Sequence, residues 1–357
     1  MDRFRIPSRE EVQHILCDNV PIAAIVIINI IAVCSVHAVF GIKDRISIIF
    51  HFNTFTQLTI ALSCLFLIPH VLRKSYHRYF TPRHLCGFLS VFLLAPVFIS
   101  VFASFKQTIP QIHDFRFDAV FMRLDYLIHF GRHPWQLLSS LLAYPWIIRV
   151  LDALYMLWFV LLIVFGVWMS WTRRRRLRVR FFVSLLAIWF FLGQGMAVIF
   201  SSVGPCYFSK VVDTGEDPFQ PLMSGLYEIH QRSPLWAIDN QEGLWAAMEE
   251  DMWLPFGGIS AMPSIHLAIA TLFALLAAEI RRWLGVIFVA YLGAIQIGSV
   301  ILGWHYAVDG YVSIILTCFI WYGVRRAAHK LKLPREFLGL MSNEAVAVGS
   351  EENPRPS

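Results

Sequence analysis

The chain has 357 residues, of which 57% are hydrophobic and 15% are charged. An ordinary soluble domain has roughly a quarter of its residues charged, so this composition leaves too little polar surface to cover a water-soluble globule. The formal net charge is +6. Because the basic residues lie between apolar runs, we interpret them as a membrane topology signal and not as a nucleic-acid-binding surface.

Eight apolar runs of the sequence approach or reach the roughly 20 residues that a membrane-spanning helix needs. The second and sixth runs are shorter than the others. We therefore predict an all-α, polytopic transmembrane helix bundle of about eight spanning helices with a six-helix catalytic core. In chain order the runs are Val20–Phe40, Gln57–Leu72, Leu85–Phe105, Ile148–Trp171, Phe181–Val203, Ser264–Ile280, Leu284–Leu302 and Tyr306–Val324.

These runs divide the chain into three regions. Residues 1–84 are predicted to form an N-terminal cytoplasmic segment and two added membrane helices. Residues 85–326 form the six-helix core, and residues 327–357 form a cytoplasmic tail whose proline and glutamate content indicates disorder. The six cysteines are scattered along the apolar runs without a paired spacing, so we interpret them as packing residues.

The loops between the runs predict the orientation of the bundle. If the eight helices alternate in direction, the strongly basic loops and both termini lie on one face. By the positive-inside rule that face is cytoplasmic, which places the opposite face in the periplasm or in an organelle lumen. The basic clusters include Arg73 and Lys74, Arg173–Arg176, Arg281 and Arg282, and Arg325 and Arg326.

Two long connections lie on the outer face. The first, Lys106–Trp146, contains Phe117–Gly131, whose mixture of apolar and charged residues favours a helix lying in the membrane interface; the alternative is a plain connecting helix. The second, Gly204–Met262, is acidic, and it is interpreted either as a lid over the outer mouth or as a solvated loop. Its apolar residues at helical spacing are Leu244, Trp245, Met248, Met252 and Trp253.

The segment GGISAMPSIH leads into the sixth predicted helix. Gly257 and Gly258 allow the backbone to approach a ligand closely, and Pro263 suits the first turn of a helix. A helix N-terminus offers unpaired N–H groups and a positive dipole end, which favour an anion such as phosphate. Ser264 adds a hydroxyl at this end, and His266 in the first turn would lie beside the anion.

The segment GWHYAVDGY leads into the eighth predicted helix, again at its outer end. His305 and Asp309 are four residues apart and therefore share a face of a helix. An aspartate that accepts a hydrogen bond from one imidazole nitrogen fixes the tautomer and leaves the other nitrogen as a nucleophile or base. One such pair is as readily structural as catalytic, but together with His266 at the same membrane depth it indicates a catalytic site.

Other candidate groups were weighed beside these three. Two histidines and one aspartate at this spacing are a poor zinc signature, so we expect no metal and no other cofactor. Gly204 and Pro205 follow the fifth helix on the outer side, and Lys210 shortly after them is predicted to line the same mouth.

MPSIH (Met262–His266) and HYAVD (His305–Asp309) stand at successive outer helix starts, separated by one cytoplasmic turn. They resemble the second and third motifs of the type 2 phosphatidic acid phosphatase superfamily, and the resemblance covers the last six predicted helices, roughly Leu85–Val324. The MPS-x-H form and the preceding Gly-Pro most resemble the branch that contains inositol phosphorylceramide synthases and their bacterial relatives. Sphingomyelin synthases share the HY-x-x-D pattern.

This resemblance implies a role for each matching residue. His305 would attack phosphorus and become a phosphohistidine, Asp309 would orient it, and His266 would protonate the leaving group and then activate the acceptor. Backbone N–H groups and a few side chains would hold the phosphate oxygens. The predicted phosphate-binding residues are Ser264, Gly257, Gly258 and Lys210.

The chain also departs from the phosphatase branch, because it has no Lys-x6-Arg-Pro motif and carries Ser299 where that branch has an arginine. Lys210 or Arg232 would have to supply the missing cations. This favours phospho-headgroup transfer of the inositol phosphorylceramide synthase type over hydrolysis of phosphatidic acid or a polyprenyl phosphate. The alternative of another class is a non-enzymatic lipid transporter. Each reading has a membrane lipid as partner, and none needs nucleic acid.

Overall fold

The computed structural model describes residues 9–42, 48–74, 81–213, 215–254 and 257–330. Within these ranges the chain is all-helical and forms no strand, which confirms the predicted fold class. The predicted disordered tail falls outside the described residues from position 331 onward.

All eight predicted apolar runs form helices. Of the described helices, α1, α3, α5, α6, α10 and α11 below are long and apolar enough to span a membrane, whereas α2 and α9 include shorter apolar segments, as the two short runs predicted. The helices are α1 Arg9–Phe40, α2 Ile48–Leu72, α3 Pro82–Ile112, α4 Asp118–Ile128, α5 Pro145–Trp171, α6 Arg175–Ile199, α7 Gln220–Arg232, α8 Trp236–Glu249, α9 Ile265–Ile280, α10 Arg282–Ile301 and α11 Ala307–Lys330.

Short helical turns connect these elements, and α6 contains a π-helical turn, Phe191–Met196. A π turn carries one extra residue per turn and is often found at functional sites. The other short helices are Pro134–Leu137, Ser139–Ala143, Pro205–Tyr207 and Phe208–Val211.

Two boundaries differ from the predicted ones in ways that affect the site. Helix α3 does not end at Phe105 but continues to Ile112, because Thr108 and Ile109 in the added turns are buried against the bundle. Helix α9 begins at Ile265 with Ser264 as its N-cap residue. The prediction that Pro263 occupies the first turn was therefore wrong, since this proline precedes the cap.

Helix α9 is the centre of the bundle. It packs against α10, α11, α6 and α5, and the side chains of Leu267, Ala268, Ile269 and Ala270 are fully buried. A helix that is apolar on all sides is stable when protein surrounds it on all sides. This position places His266, in the first turn of α9, in the middle of one end of the bundle. The basic loops predict that this end faces outward, and it is called the outer end below.

Charged residues join three segments at the opposite end. Arg180, at the start of α6, forms an ion pair with Glu279 near the end of α9, and Arg325 of α11 lies 3.9 Å from the same carboxylate. The Arg180 guanidinium also stacks 3.6 Å above the Trp321 ring. Glu279 is thus paired, and three of the segments predicted to share the basic face meet at one end.

The outer helix α4 presents its side chains in an unusual arrangement. Asp118, Phe121 and Asp125 are buried, while the apolar side chain of Leu127 is exposed and that of Phe130 is 99% exposed. An apolar face turned outward suits a lipid interface and not bulk water. The carboxylates of α4 point inward to the site described next, and the location of α4 in a membrane interface stays a prediction.

Candidate active site

The two motif-bearing helix starts meet at the outer end of the bundle. The backbone N–H of Ser264 donates to the carbonyl oxygen of Asp309 over 3.4 Å, so α9 and α11 begin side by side. A cavity of about 340 Å³ opens beside them, and both His266 and His305 line it. The structure therefore brings the two predicted histidines into one pocket.

His305 and Asp309 form the predicted pair. The Nδ1 atom of His305 lies 3.3 Å from Oδ2 of Asp309, and the same oxygen accepts from the Tyr306 backbone N–H at 3.1 Å. Asp309 is fully buried and lies behind His305, away from the cavity wall. A carboxylate in this position favours the tautomer with the proton on Nδ1, which leaves Nε2 as the nitrogen with a free lone pair.

The surroundings of His305 keep its ring uncharged. Burial, together with the positive charge of Lys106, lowers the pKa of His305 to about 3, against a smaller opposite effect of the Ala261 carbonyl. Burial disfavours the charged form of an imidazole because the low-dielectric interior solvates it poorly. Throughout the neutral pH range the unliganded site therefore holds a neutral imidazole, the form that can act as a nucleophile.

His266 is held by aromatic rings. Its imidazole stacks on Tyr155 at a centroid distance of 4.3 Å and lies 4.4 Å from the Trp158 ring. The Trp158 indole N–H donates to the backbone carbonyl of His266 at 3.1 Å. The Nε2 atom of His266 is buried and has no hydrogen-bond partner among the described residues, so it is available to a bound molecule.

The predicted phosphate-binding residues divide into two groups. Gly257 and Gly258 line the cavity, and Gly258 has a φ of +92° and packs so closely on the Lys106 backbone that a side chain would collide with it. Ser264 is fully buried, its hydroxyl has no partner among the described residues, and it does not line the cavity. The structure places Ser260 at the cavity wall instead.

Lys210 is also not brought to the cavity. It is exposed, and its ammonium lies 4.3 Å above the ring of Trp245. Arg232, the other cation considered, is exposed and pairs with Glu228. The cation that does line the cavity is Lys106 of α3. The role of Lys106 could not be recognised from the sequence. This lysine directly follows an apolar run, so we predicted it to be the first residue of an outer loop.

The second outer connection contributes to the wall of the cavity. Asn240 and Leu244 of α8 contribute to its wall, and Tyr207 beside them donates from its hydroxyl to the Gln241 carbonyl at 2.7 Å. The acidic segment therefore borders the cavity, and its role as a lid stays a prediction. The Cys206 backbone N–H donates to the Gly303 carbonyl at 2.9 Å. This hydrogen bond joins the segment that follows α6 to the loop that precedes His305.

Two buried carboxylates of α4 hold the backbone around His305. Asp118 accepts hydrogen bonds from the N–H groups of Val203 and Gly204 and from the Tyr306 hydroxyl, all within 3.1 Å. Asp125 accepts from the first N–H groups of α11, Ala307 at 2.7 Å and Val308 at 2.9 Å. Burial raises the pKa of Asp118, and it raises the pKa of Asp125 to about 6.

One pattern in the sequence could have indicated these positioning residues. Asp118 and Asp125 are seven residues apart in FDAVFMRLD, a spacing that places both on one face of a helix. Two carboxylates on the buried face of a predicted helix need partners, but the partners lie in the loops around Gly204 and Tyr306, far along the chain.

Replacing Asp125 with alanine should lower the free energy of unfolding by about 2 to 4 kcal/mol, because two buried N–H groups lose their acceptor. The thermal unfolding midpoint of the purified protein measures this change. Asp114 is the matched control, since it is exposed and pairs only with the exposed Arg116. Asp114→Ala should change stability by less than about 0.5 kcal/mol; equal losses in both variants would contradict the capping role of Asp125.

Away from the histidines, the cavity wall is apolar and aromatic. Phe102, Phe159 and Trp189 line it, and it reaches Gly193 in the π turn of α6. A side chain at Gly193 would collide with the Phe102 ring and press on Ile265. The cavity therefore has a polar end, at the imidazoles and Lys106, and an apolar arm that runs toward the spanning helices.

A comparison with protein families identifies a family to which the chain is similar. A family model described as the PAP2 superfamily matches residues 119–323, more than half of the chain. The matched region includes His266, His305 and Asp309, whereas Lys106 and Asp118 precede it. No curated protein and no solved structure matches the chain.

Proposed function

The chain belongs to the PAP2 superfamily, and we propose on that basis that it transfers a phosphoryl group, or a headgroup bearing one, to or from a membrane lipid, with His305, His266 and Asp309 as the reacting site. The single observation that carries the proposal is the cavity in which both imidazoles meet an apolar arm. A phosphorylated lipid has matching halves, an anionic headgroup and an apolar chain.

In the proposed first step, Nε2 of His305 attacks the phosphorus atom of the lipid. The N–P bond forms as the bond from phosphorus to the leaving oxygen breaks, and His266 donates a proton to that oxygen. The carboxylate of Asp309 accepts from Nδ1–H and stabilises the positive charge that develops on the His305 ring.

In the second step, the acceptor hydroxyl approaches the phosphorus from the side that the leaving group has left. His266 removes its proton, the new P–O bond forms, and the N–P bond breaks to return neutral His305. Phosphate oxygens would be held by the backbone around Gly257 and Gly258 and by the N–H groups at the start of α9.

The acceptor decides between transfer and hydrolysis. We propose transfer to an alcohol of the inositol phosphorylceramide synthase type. Two observations support this proposal. The Gly-Pro segment packs on the loop that carries His305, and Ser299 replaces the arginine of the phosphatase branch. The Ser299 carbonyl accepts hydrogen bonds from the backbone N–H groups of Trp304 and His305. We further propose that the site faces the periplasm or lumen and that both termini are cytoplasmic, which the basic loops support.

Incubation of the purified enzyme with labelled phosphatidylinositol and ceramide should give a labelled sphingolipid product, detected by thin-layer chromatography. Labelled phosphatidic acid alone should give little free phosphate. His305→Ala provides the background in both assays. Rapid release of free phosphate without a lipid product would assign hydrolysis, and unchanged lipid with transbilayer movement would assign transport.

A further inference from the structure

Lys106 is a lysine that lines the candidate active-site cavity beside both histidines. It lines the same wall as His266 and His305, and its charge acts electrostatically on both imidazoles. We propose that Lys106 is the cation that binds the phosphate group of the substrate, an assignment that rests on the proposed function. A compact ammonium is a suitable partner for a phosphate oxygen, since it acts as a point charge with three donors.

The position of Lys106 along α3 argues against a lysine that reaches bulk water. Lysines near the ends of membrane helices extend their ammonium to the interface. Helix α3 continues for six residues after Lys106, a length of about 9 Å, and the following Thr108 and Ile109 are buried. The side chain therefore leaves the helix below its outer end, on the side of the cavity.

The backbone at Lys106 is fixed as well. Gly258 packs on the Lys106 carbonyl, with no room for a side chain at that glycine. The neighbouring Gln107 accepts from the Leu254 backbone N–H through its Oε1 atom at 2.9 Å. The loop that brings Gly257 and Gly258 to the cavity is thus attached to α3 at the residue that carries the ammonium.

The charge of Lys106 is not balanced within the part of the chain that the structure describes, where it forms no ion pair and no side-chain hydrogen bond. The Asp309 carboxylate is directed to His305 and Tyr306 instead. Lys106 is partly buried, and a partly desolvated ammonium without a counter-charge is unfavourable. An anionic phosphate group in the cavity would supply that counter-charge beside the nucleophile.

Binding of inorganic phosphate to the full-length protein in detergent tests this assignment without requiring turnover. Titration calorimetry should show that Lys106→Met weakens phosphate affinity by about 10- to 100-fold, because a charge-assisted contact is lost. Lys106→Arg should keep most of the affinity. Without phosphate, the unfolding midpoint of Lys106→Met should equal or exceed that of the wild type, because an uncompensated charge has been removed.

Arg149 provides the matched control. It is an exposed cation near the start of α5, at the outer end of the bundle and outside the cavity wall. Arg149→Met removes the same charge and should leave phosphate affinity unchanged. Wild-type affinity in Lys106→Met, or an equal loss in Arg149→Met, would overturn the assignment.

The stability measurement separates a binding role from a structural one. Lower unfolding midpoints in both Lys106→Met and Lys106→Gln would show that the lysine supports the fold and would overturn the proposal. If the wild type binds phosphate through Lys106 but turns over no lipid phosphate, the phosphate site stands and the proposed function fails.

Discussion

Substitution of His305 with glutamine should reduce turnover of the lipid substrate by a factor of about 10⁴ or more, the scale seen when a covalent nucleophile is removed. Glutamine has no nitrogen lone pair that can attack phosphorus, although it preserves polarity at the cavity wall. Rapid-quench experiments with labelled substrate should also find no phosphorylated protein in the variant, whereas the wild type should give a phosphoenzyme that is labile to acid and stable to alkali.

The control for this experiment is His113→Gln. His113 follows α3 on the outer side, its ring bonds to the carbonyl of the adjacent Asp114, and it does not line the cavity. Its variant should retain wild-type turnover. A His305→Gln protein that still forms a phosphoenzyme would assign the nucleophile elsewhere, and one that retains full transport of lipid would favour a transporter.

Substitution of His266 with glutamine should lower turnover of a lipid phosphate by about 10² to 10⁴, the range expected when a general acid–base group is lost. The loss should shrink to less than about tenfold for formation of the phosphoenzyme from p-nitrophenyl phosphate, because its leaving group needs no proton. Single-turnover kinetics with the two substrates measure this difference.

The fold should tolerate this change better than the chemistry. The Nε2 atom of His266 has no hydrogen-bond partner among the described residues, so glutamine breaks none there, and Trp158 bonds only to the backbone carbonyl. The unfolding midpoint serves as the control measurement. Equal losses of rate for both substrates would show that His266 does not protonate the leaving group.

The helices were predicted from the sequence, and the candidate reacting residues could be proposed from it, because both depend on local patterns. Apolar runs of spanning length, and the four-residue spacing of His305 and Asp309, are visible in a single stretch of chain. The pairing of the two motifs followed from topology, since one hairpin returns the chain to the same end of the bundle. The structure agrees, with Ser264 bonded to the Asp309 backbone.

The direction in which a side chain points was harder to predict than the place of a candidate residue along the chain. Lys210 has the right charge and lies on the outer side, but its ammonium rests on Trp245. Lys106 lines the cavity, yet the sequence did not show that α3 continues beyond this residue. Ser264 is the N-cap residue of α9, but its side chain makes no capping hydrogen bond and its hydroxyl does not reach the cavity. These outcomes depend on packing between distant segments, which spacing alone does not encode.

The hydrogen bonds of α4 have a consequence for how the protein is made. Asp125 bonds to residues 182 and 183 positions later, and Asp118 bonds to a tyrosine 188 positions later. Contacts of such high sequence separation form late in folding, after the intervening chain has been ordered. During synthesis the two aspartates emerge long before Tyr306 and α11, so the loop that carries His305 reaches the geometry described here only once the final helix has formed. A chain that stops before Ala307 would leave Asp125 without these two N–H donors and would lack a site.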